Sequence, residues 1–416
     1  MWRDLLAPEL NSVRQTPMLY TVNRDVADAL MTLTNAPRLG SLQMKFSRGW
    51  DESIDRAGGY FVQQWGPNET WDEVILQGPH LFVSTPLNKQ PRKSMRSNKD
   101  WSETDFESLE PGAVPITAYK PAGDQASYDA AYTHWISPVP GGPPAPARAE
   151  YRLAWRNMAA NSNERTLFAA AIPPGATHVH AVSSVGFQTP RSLVMAASVT
   201  TSLLADFAIR AVPKGHIHMA QLERLPLLPA EHPLLMQVLL RTLRLNCVTD
   251  AYSSLWADVY DPDFREDSWT RVGPAVALGD VSPEWTPATP LRRAIDRRQA
   301  LVEVDALVAL MLGVTADQLC TVYRTQFAVL YDYDTCTPSA AKKYVFDANG
   351  RIVPNPVLVA YRKKGDRITL EERTHTNQAG NNYVYDLPFA PRDREADMRQ
   401  AYDSFQGIAE QGEAGA

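Results

Sequence analysis

Between Ile136 and Ala149 the chain reads ISPVPGGPPAPARA, with five prolines and two glycines. Proline fixes φ and has no N–H, so this run can hold neither a helix interior nor a central strand. It predicts a linker between two folded lobes. The same punctuation runs through the whole chain: 32 of 416 residues are proline, above the usual share of about 5%. Short strands and irregular loops are therefore expected to outweigh long helices. At about 100 to 200 residues per domain, the length allows two or three cores.

Before the linker, Glu73-Val-Ile-Leu-Gln and Leu81-Phe-Val-Ser are brief apolar runs set among Gly and Pro, which read as strands. After it, Tyr151-Arg-Leu-Ala-Trp-Arg, Arg165-Thr-Leu-Phe-Ala-Ala-Ala-Ile and His178-Val-His-Ala-Val read as a small sheet, the second strand stopped by Pro173-Pro174-Gly175. Apolar residues at mixed spacings of three and four predict one helix from Arg191 to Ala211. Further helices are expected over Pro233–Cys247, from a Thr289-Pro290 cap to Leu312 with Gly313 as its stop, and from Thr315 to about Leu330. The expected fold class is α+β. It divides into a strand- and loop-rich N-terminal lobe (1–135), the Pro/Gly linker (136–149), a mixed α/β lobe (150–228), a helical lobe (229–335), and a C-terminal extension (336–416) with a frayed tail.

A formal charge of −6 and a pI near 5.8 exclude a generally basic nucleic-acid-binding protein but leave a local cationic surface open. Cys247, Cys320 and Cys336 are widely spaced, so neither a disulfide framework nor a zinc ribbon is suggested. Charges at Arg3, Asp4 and Glu9 interrupt any apolar signal core, and no run approaches the ~20 apolar residues of a spanning helix. A cytoplasmic protein with no membrane partner is expected.

Catalytic motifs do not appear. Gly58-Gly59 and Gly141-Gly142 lack the strand–turn–helix context of a phosphate loop. An amine methyltransferase needs an [N/D/S]-P-P-[Y/F/W] motif to hold the flipped base, but Pro143-Pro144 and Pro173-Pro174 are followed by Ala and Gly. No lysine follows Asp or Glu by two positions, as a magnesium nuclease requires, and G-x-S-x-G is absent. The pairs His178/His180 and His216/His218 have the i, i+2 spacing of strand-borne metal ligands, but no third ligand can be named. Solvent-facing positions are the preferred reading for them.

Cationic residues are concentrated in two places. Lys89, Arg92, Lys93, Arg96 and Lys99 fall within eleven residues that hold no acid, suiting either phosphate contacts or a solvated loop. Arg152, Arg156 and Arg165, with Asn157 and Asn163, mix the side chains that read guanine and adenine. A buried salt-bridge network with Glu150 and Glu164 is the competing reading.

The block from Tyr151-Arg-Leu-Ala-Trp-Arg-Asn-Met-Ala through Asn163-Glu-Arg-Thr-Leu-Phe-Ala-Ala-Ala-Ile-Pro-Pro-Gly resembles the "R-x-x-W/Y-R-D-I-A…T-N-E-R-T-L-I-A-A-x-L-P-P-G" block of large adenine-specific DNA methyltransferases. These are the type IIG and IIL restriction–modification enzymes and related phage-defence methyltransferases. Gly215-His-Ile-His-Met-Ala-Gln-Leu-Glu-Arg-Leu-Pro-Leu is similar to the family's downstream ending, and the Val74–Pro86 and Tyr119–Asp124 stretches also look like it. Asn157 stands where the family usually has Asp, and the cofactor turn and N-P-P-Y are missing.

The resemblance implies a target-recognition part that binds double-stranded DNA. The missing motifs imply no cofactor in this chain, with S-adenosylmethionine on a separate catalytic methyltransferase subunit. On that basis Lys89, Arg92, Lys93, Arg96 and Lys99 are expected on phosphates, and Arg152, Arg156, Asn157, Asn163 and Arg165 at or near bases. An autonomous enzyme with degenerate motifs and an inactive split-gene remnant remain the alternatives.

Overall fold

A computed structural model describes residues 23–92, 95, 97, 99–135, 144–211, 215–335 and 343–415. Asn23 accepts the Val26 N–H at 3.3 Å and so caps α1 (Arg24–Asn35), whose inner face is Val26, Ala29, Leu30 and Leu33. Then come β1 (Lys45–Arg48), α2 (Ile54–Ala57), β2 (Phe61–Gly66), β3 (Ile75–Leu76), β4 (Lys89–Pro91), β5 (Trp101–Glu103), β6 (Thr117–Pro121), α3 (Gln125–Ala131) and β7 (His134–Trp135). β2 pairs with β6 and β4 with β5, both antiparallel. Of the two strands expected here, the first survives as β3. The second is a turn: Phe82 donates to the Thr85 carbonyl at 2.9 Å and Ser84 takes a φ of 47°.

Residues 136–143 of the expected linker lie outside the described residues. The remainder does not act as a spacer. β8 (Ala145–Pro146) pairs with β7, and Ala147 and Arg148 are buried. Arg148 donates to Asp129 at 2.6 Å and to the carbonyls of Asp72 at 3.1 Å and Gly175 at 2.8 Å, which ties this segment to elements on both sides of it.

β9 (Arg152–Arg156), β10 (Ala169–Ile172), β11 (Thr177–His178) and β12 (Val182–Gly186) follow. β1, β12, β9 and β10 form one antiparallel sheet in that order, while β11 pairs in parallel with β3. Because β1 precedes the Pro/Gly segment and its partners follow it, the two lobes expected on either side share a sheet. The two-residue side-chain period of β9 organises its faces. Leu153 and Trp155 join Ala169, Ala171 and Val185 in the main helical core. Ala154 faces the other way, with Ala170, Ile172 and Val182, onto Val74, Leu76 and Leu81 of the N-terminal region. The strand expected from Arg165 begins only at Ala169, because Arg165 and Thr166 turn aside to bond Asp206.

The helix expected over 191–211 is two helices, α4 (Pro190–Thr201) and α5 (Leu203–Arg210), bent by 68°. Hydroxyls cause the break. Thr200 and Thr201 donate back to the Ala197 carbonyl, and Ser202, extended at φ −71° and ψ 152°, caps α5 through the Ala205 N–H. α6 (Met219–Leu222), α7 (Leu235–Asn246) and α8 (Ser253–Val259) precede α9 (Ala294–Met311). Thr289 does not cap α9. Its hydroxyl accepts the Thr286 N–H at 2.8 Å, and the helix starts after the extended Arg293. Gly313, at φ 76°, ends α9 as expected. Thr315 and Gln318 form a reciprocal capping box on α10 (Ala316–Gln326). A turn at Phe327 then separates α11 (Ala328–Asp334) from α10.

The C-terminal extension carries β13 (Val345–Phe346), α12 (Asn355–Lys364), β14 (Thr374–Thr376), β15 (Asn382–Val384), β16 (Ala390–Pro391) and α13 (Arg394–Gly415). The tail expected to fray is this last helix. It lies along α9 and buries Met398, Ala401 and Phe405, a stripe at spacings of three and four, while Asp397 holds Arg298 of α9 at 2.5 Å. Among the described residues no single helix is long and apolar enough to cross a membrane.

Candidate functional site

Arg152 and Arg156 are four residues apart on β9 and therefore share its N-terminal-lobe face. Their fates differ. Arg152 is fully buried and donates to the carbonyls of Ala176 and Glu150, to Ser184 Oγ at 3.4 Å and to the Tyr132 hydroxyl at 3.5 Å. Burial pulls its guanidinium below the usual arginine range. Arg156 sits at the strand end, bonds the Leu81 carbonyl alone among the described residues, and lies 4.4 Å over the Phe168 ring. Among the described residues no carboxylate pairs with it, and burial brings it down to about 10.

Two further expected base contacts are structural. Arg165 is buried against Asp206 at 2.7 Å and donates to the carbonyls of Thr201 at 2.8 Å and Ser202 at 2.9 Å, pinning the α4–α5 break. Asn157 is buried, donating to the His180 carbonyl. With their donors spent inside the fold, Arg152, Asn157 and Arg165 do not reach a nucleic acid in this arrangement, which corrects the expectation from sequence.

Arg156 instead forms part of the wall of a cleft of about 410 Å³. Strand β4 contributes Lys89, β5 contributes Glu103, and the loop after β9 contributes Asn163, Glu164 and Phe168. Phe82 stands 5.1 Å from Phe168, ring centre to ring centre. The far wall is Tyr333 of α11 with Lys343 and Tyr344. The Lys343 ammonium lies 5.3 Å over Tyr333 and 4.8 Å over Tyr344, and reaches Glu164 at 2.5 Å. Glu164 also accepts the Tyr344 hydroxyl at 2.6 Å; burial, then this carboxylate, pushes the phenol well up. Its carboxylate is thus occupied and is not a free general base. The arrangement can hold a planar ring and an anion.

Lys89 pairs with Glu103 across the β4–β5 ribbon at 3.2 Å. Beyond these strands Arg92 and Lys99 are exposed, and the backbone N–H groups of Arg92 and Ser97 donate to the Asp100 carbonyl and carboxylate. Lys93 and Arg96 lie outside the described residues. Trp101 anchors the ribbon edge-on against buried His80 at 4.9 Å. Of the residues nominated from sequence, Lys89, Arg156 and Asn163 therefore meet at one cleft, with Arg92 and Lys99 on the ribbon beside it. Sequence reasoning missed Phe82, Phe168, Tyr333, Lys343 and Tyr344. Phe168 lies inside the Tyr151–Gly175 block and Phe82 inside the Val74–Pro86 stretch, but nothing in the spacing marks either ring as facing a cleft.

The histidine pairs do not assemble a metal centre; among the described residues no three His, Cys, Asp or Glu side chains converge as ligands. His178 is buried, its Nε2 2.8 Å from Ser184 Oγ, and burial pulls it down to about 3, so the solvent-facing expectation fails for it. His180 is exposed, as are His216 and His218, whose rings lie 5.9 Å apart around buried Ile217. Cys247 and Cys320 are buried thiols.

Comparison with protein-family models and with curated proteins finds no match for the chain.

Proposed function

We propose that the chain is the DNA target-recognition part of an adenine-specific DNA methyltransferase from a restriction–modification or phage-defence system. It works in the cytoplasm, with methyl transfer carried out on a separate catalytic subunit that binds S-adenosylmethionine. The resemblance of the Tyr151–Gly175 and Gly215–Leu227 blocks to that family motivates the reading. The observation that carries it is convergence. Lys89, Arg156 and Asn163, nominated on chemical grounds and up to 74 positions apart, line a single cleft beside the exposed cations of the β4–β5 ribbon.

In this reading Arg92 and Lys99 contact phosphates and set the register, while the cleft supplies sequence-dependent contacts. The buried Arg152 and Arg165 hold β9 and the α4–α5 junction in place behind it. A gel shift on duplex DNA, with and without a candidate catalytic methyltransferase subunit, tests the proposal. Salt-sensitive binding that becomes sequence-selective with the partner is expected. No binding in either case, or transfer of a labelled methyl group by the chain alone, contradicts it.

A further inference from the structure

We propose that the cleft between Arg156 and Tyr333 binds one unstacked nucleotide of the engaged nucleic acid, ring against Phe82 and phosphate toward Arg156. This deepens the DNA-reading proposal and rests on it. Charge on the cleft wall supplies the first reason. Glu103 takes Lys89 and Glu164 takes Lys343, which leaves Arg156 as a largely buried cation with no carboxylate among the described residues. A surplus of one positive charge on a wall of mixed polar and aromatic side chains is what a single phosphodiester neutralises, and a largely buried cation without a carboxylate is otherwise costly.

The second reason is shape. Phe82 is half-buried with the Lys343 ammonium 6.0 Å from its ring centre, and Phe168 lies beneath the Arg156 guanidinium, so aromatic surface and cations sit side by side. A base stacks on such a face, and the volume of about 410 Å³ falls within the range of about 300 to 1,000 Å³ usual for small-molecule sites. At the rim, Asn163 is exposed and its side-chain amide has no hydrogen bond among the described residues, which leaves a donor and an acceptor for a base edge. A base paired within a regular duplex presents no face to such a wall, so the occupant is a nucleotide outside the stack.

Binding of a short single-stranded oligonucleotide and of a duplex, each followed by fluorescence anisotropy on the full chain, tests this. Phe82→Ala and Asn163→Ala are compared with the unaltered protein, and thermal melts establish that each is folded. About tenfold weaker single-strand binding is expected for Phe82→Ala, with a smaller loss for Asn163→Ala and near-normal non-specific duplex binding for both. Asn163 is exposed, so its variant keeps the test alive if Phe82→Ala misfolds. Unchanged single-strand affinity in the folded variants, with duplex still bound, overturns the nucleotide site and leaves the DNA-reading proposal standing. Failure of the unaltered chain to bind either nucleic acid overturns both.

Discussion

Replacing Arg165 with methionine should cost stability and leave DNA affinity alone. The substitution deletes the 2.7 Å ion pair to Asp206 and the donors to the Thr201 and Ser202 carbonyls at 2.8 and 2.9 Å. Asp206 is not stranded, because it keeps Arg210 at 3.1 Å and the Thr166 N–H at 2.9 Å. The Thr201 carbonyl loses its donor at the break between α4 and α5, where a buried unsatisfied group costs about 1 to 3 kcal/mol, while the Ser202 carbonyl keeps the Asp206 N–H at 3.3 Å. Loss of the charge-assisted bond to Asp206 adds about 1.5 to 3 kcal/mol, less than a stranded buried charge would because Arg210 still pairs with it. A loss of about 4 kcal/mol is expected, against about 0.5 kcal/mol or less for the exposed Lys99→Ala. Urea unfolding followed by tryptophan fluorescence reads both, and anisotropy on the folded protein reads DNA affinity. A loss under about 1 kcal/mol accompanied by weakened DNA binding would place the guanidinium on DNA and refute the buried assignment.

Other consequences can be checked with similar measurements. Thr315→Ala removes the capping box of α10 and should cost about 1 kcal/mol in equilibrium unfolding. Gly49→Ala should destabilise by about 1 to 3 kcal/mol in a thermal melt, because a Cβ there runs into the Val179 and His178 carbonyls. Burial holds His178 and His80 neutral down to about 3 and about 4, and keeps Asp305 protonated up to about 6. Between about pH 6 and 4 these groups bind two protons in the unfolded chain and one in the folded protein, so their contribution to stability falls by about 1.4 kcal/mol per unit of acidification; a profile that rises over this window contradicts the assignment. Burial pushes the thiols of Cys247 and Cys320 up, the latter to about 12, so both should resist a thiol reagent in the native protein and react on unfolding.

Strand β9 was readable because Leu153, Ala154 and Trp155 sit in a short β-favouring run with a clear stop downstream at Pro173-Pro174. The helix break at Ser202 was not, because an apolar stripe continues across it in sequence while the decisive hydrogen bonds are made by three hydroxyl residues. The tail was read from its polar composition. Its stripe of Met398, Ala401 and Phe405 matters only once α9 offers a surface to cover. At the site, residue chemistry identified Arg156 but could not separate it from Arg152. Both lie on one face of β9, and what divides them is a distant tyrosine, Tyr132, and a carbonyl, Ala176, that close over one end of the strand. The aromatic wall was illegible for the same reason, since Phe82, Phe168 and Tyr333 meet only through the tertiary fold.

On the proposed function the β4–β5 ribbon and its neighbouring cleft face nucleic acid. The salt dependence of duplex affinity for the unaltered chain and for Arg92→Gln/Lys99→Gln tests this most directly. Both side chains are exposed on the ribbon, so loss of two phosphate contacts should reduce the slope of log K against log salt by about two units. An unaltered slope, or a chain that binds no DNA at low salt, contradicts the claim.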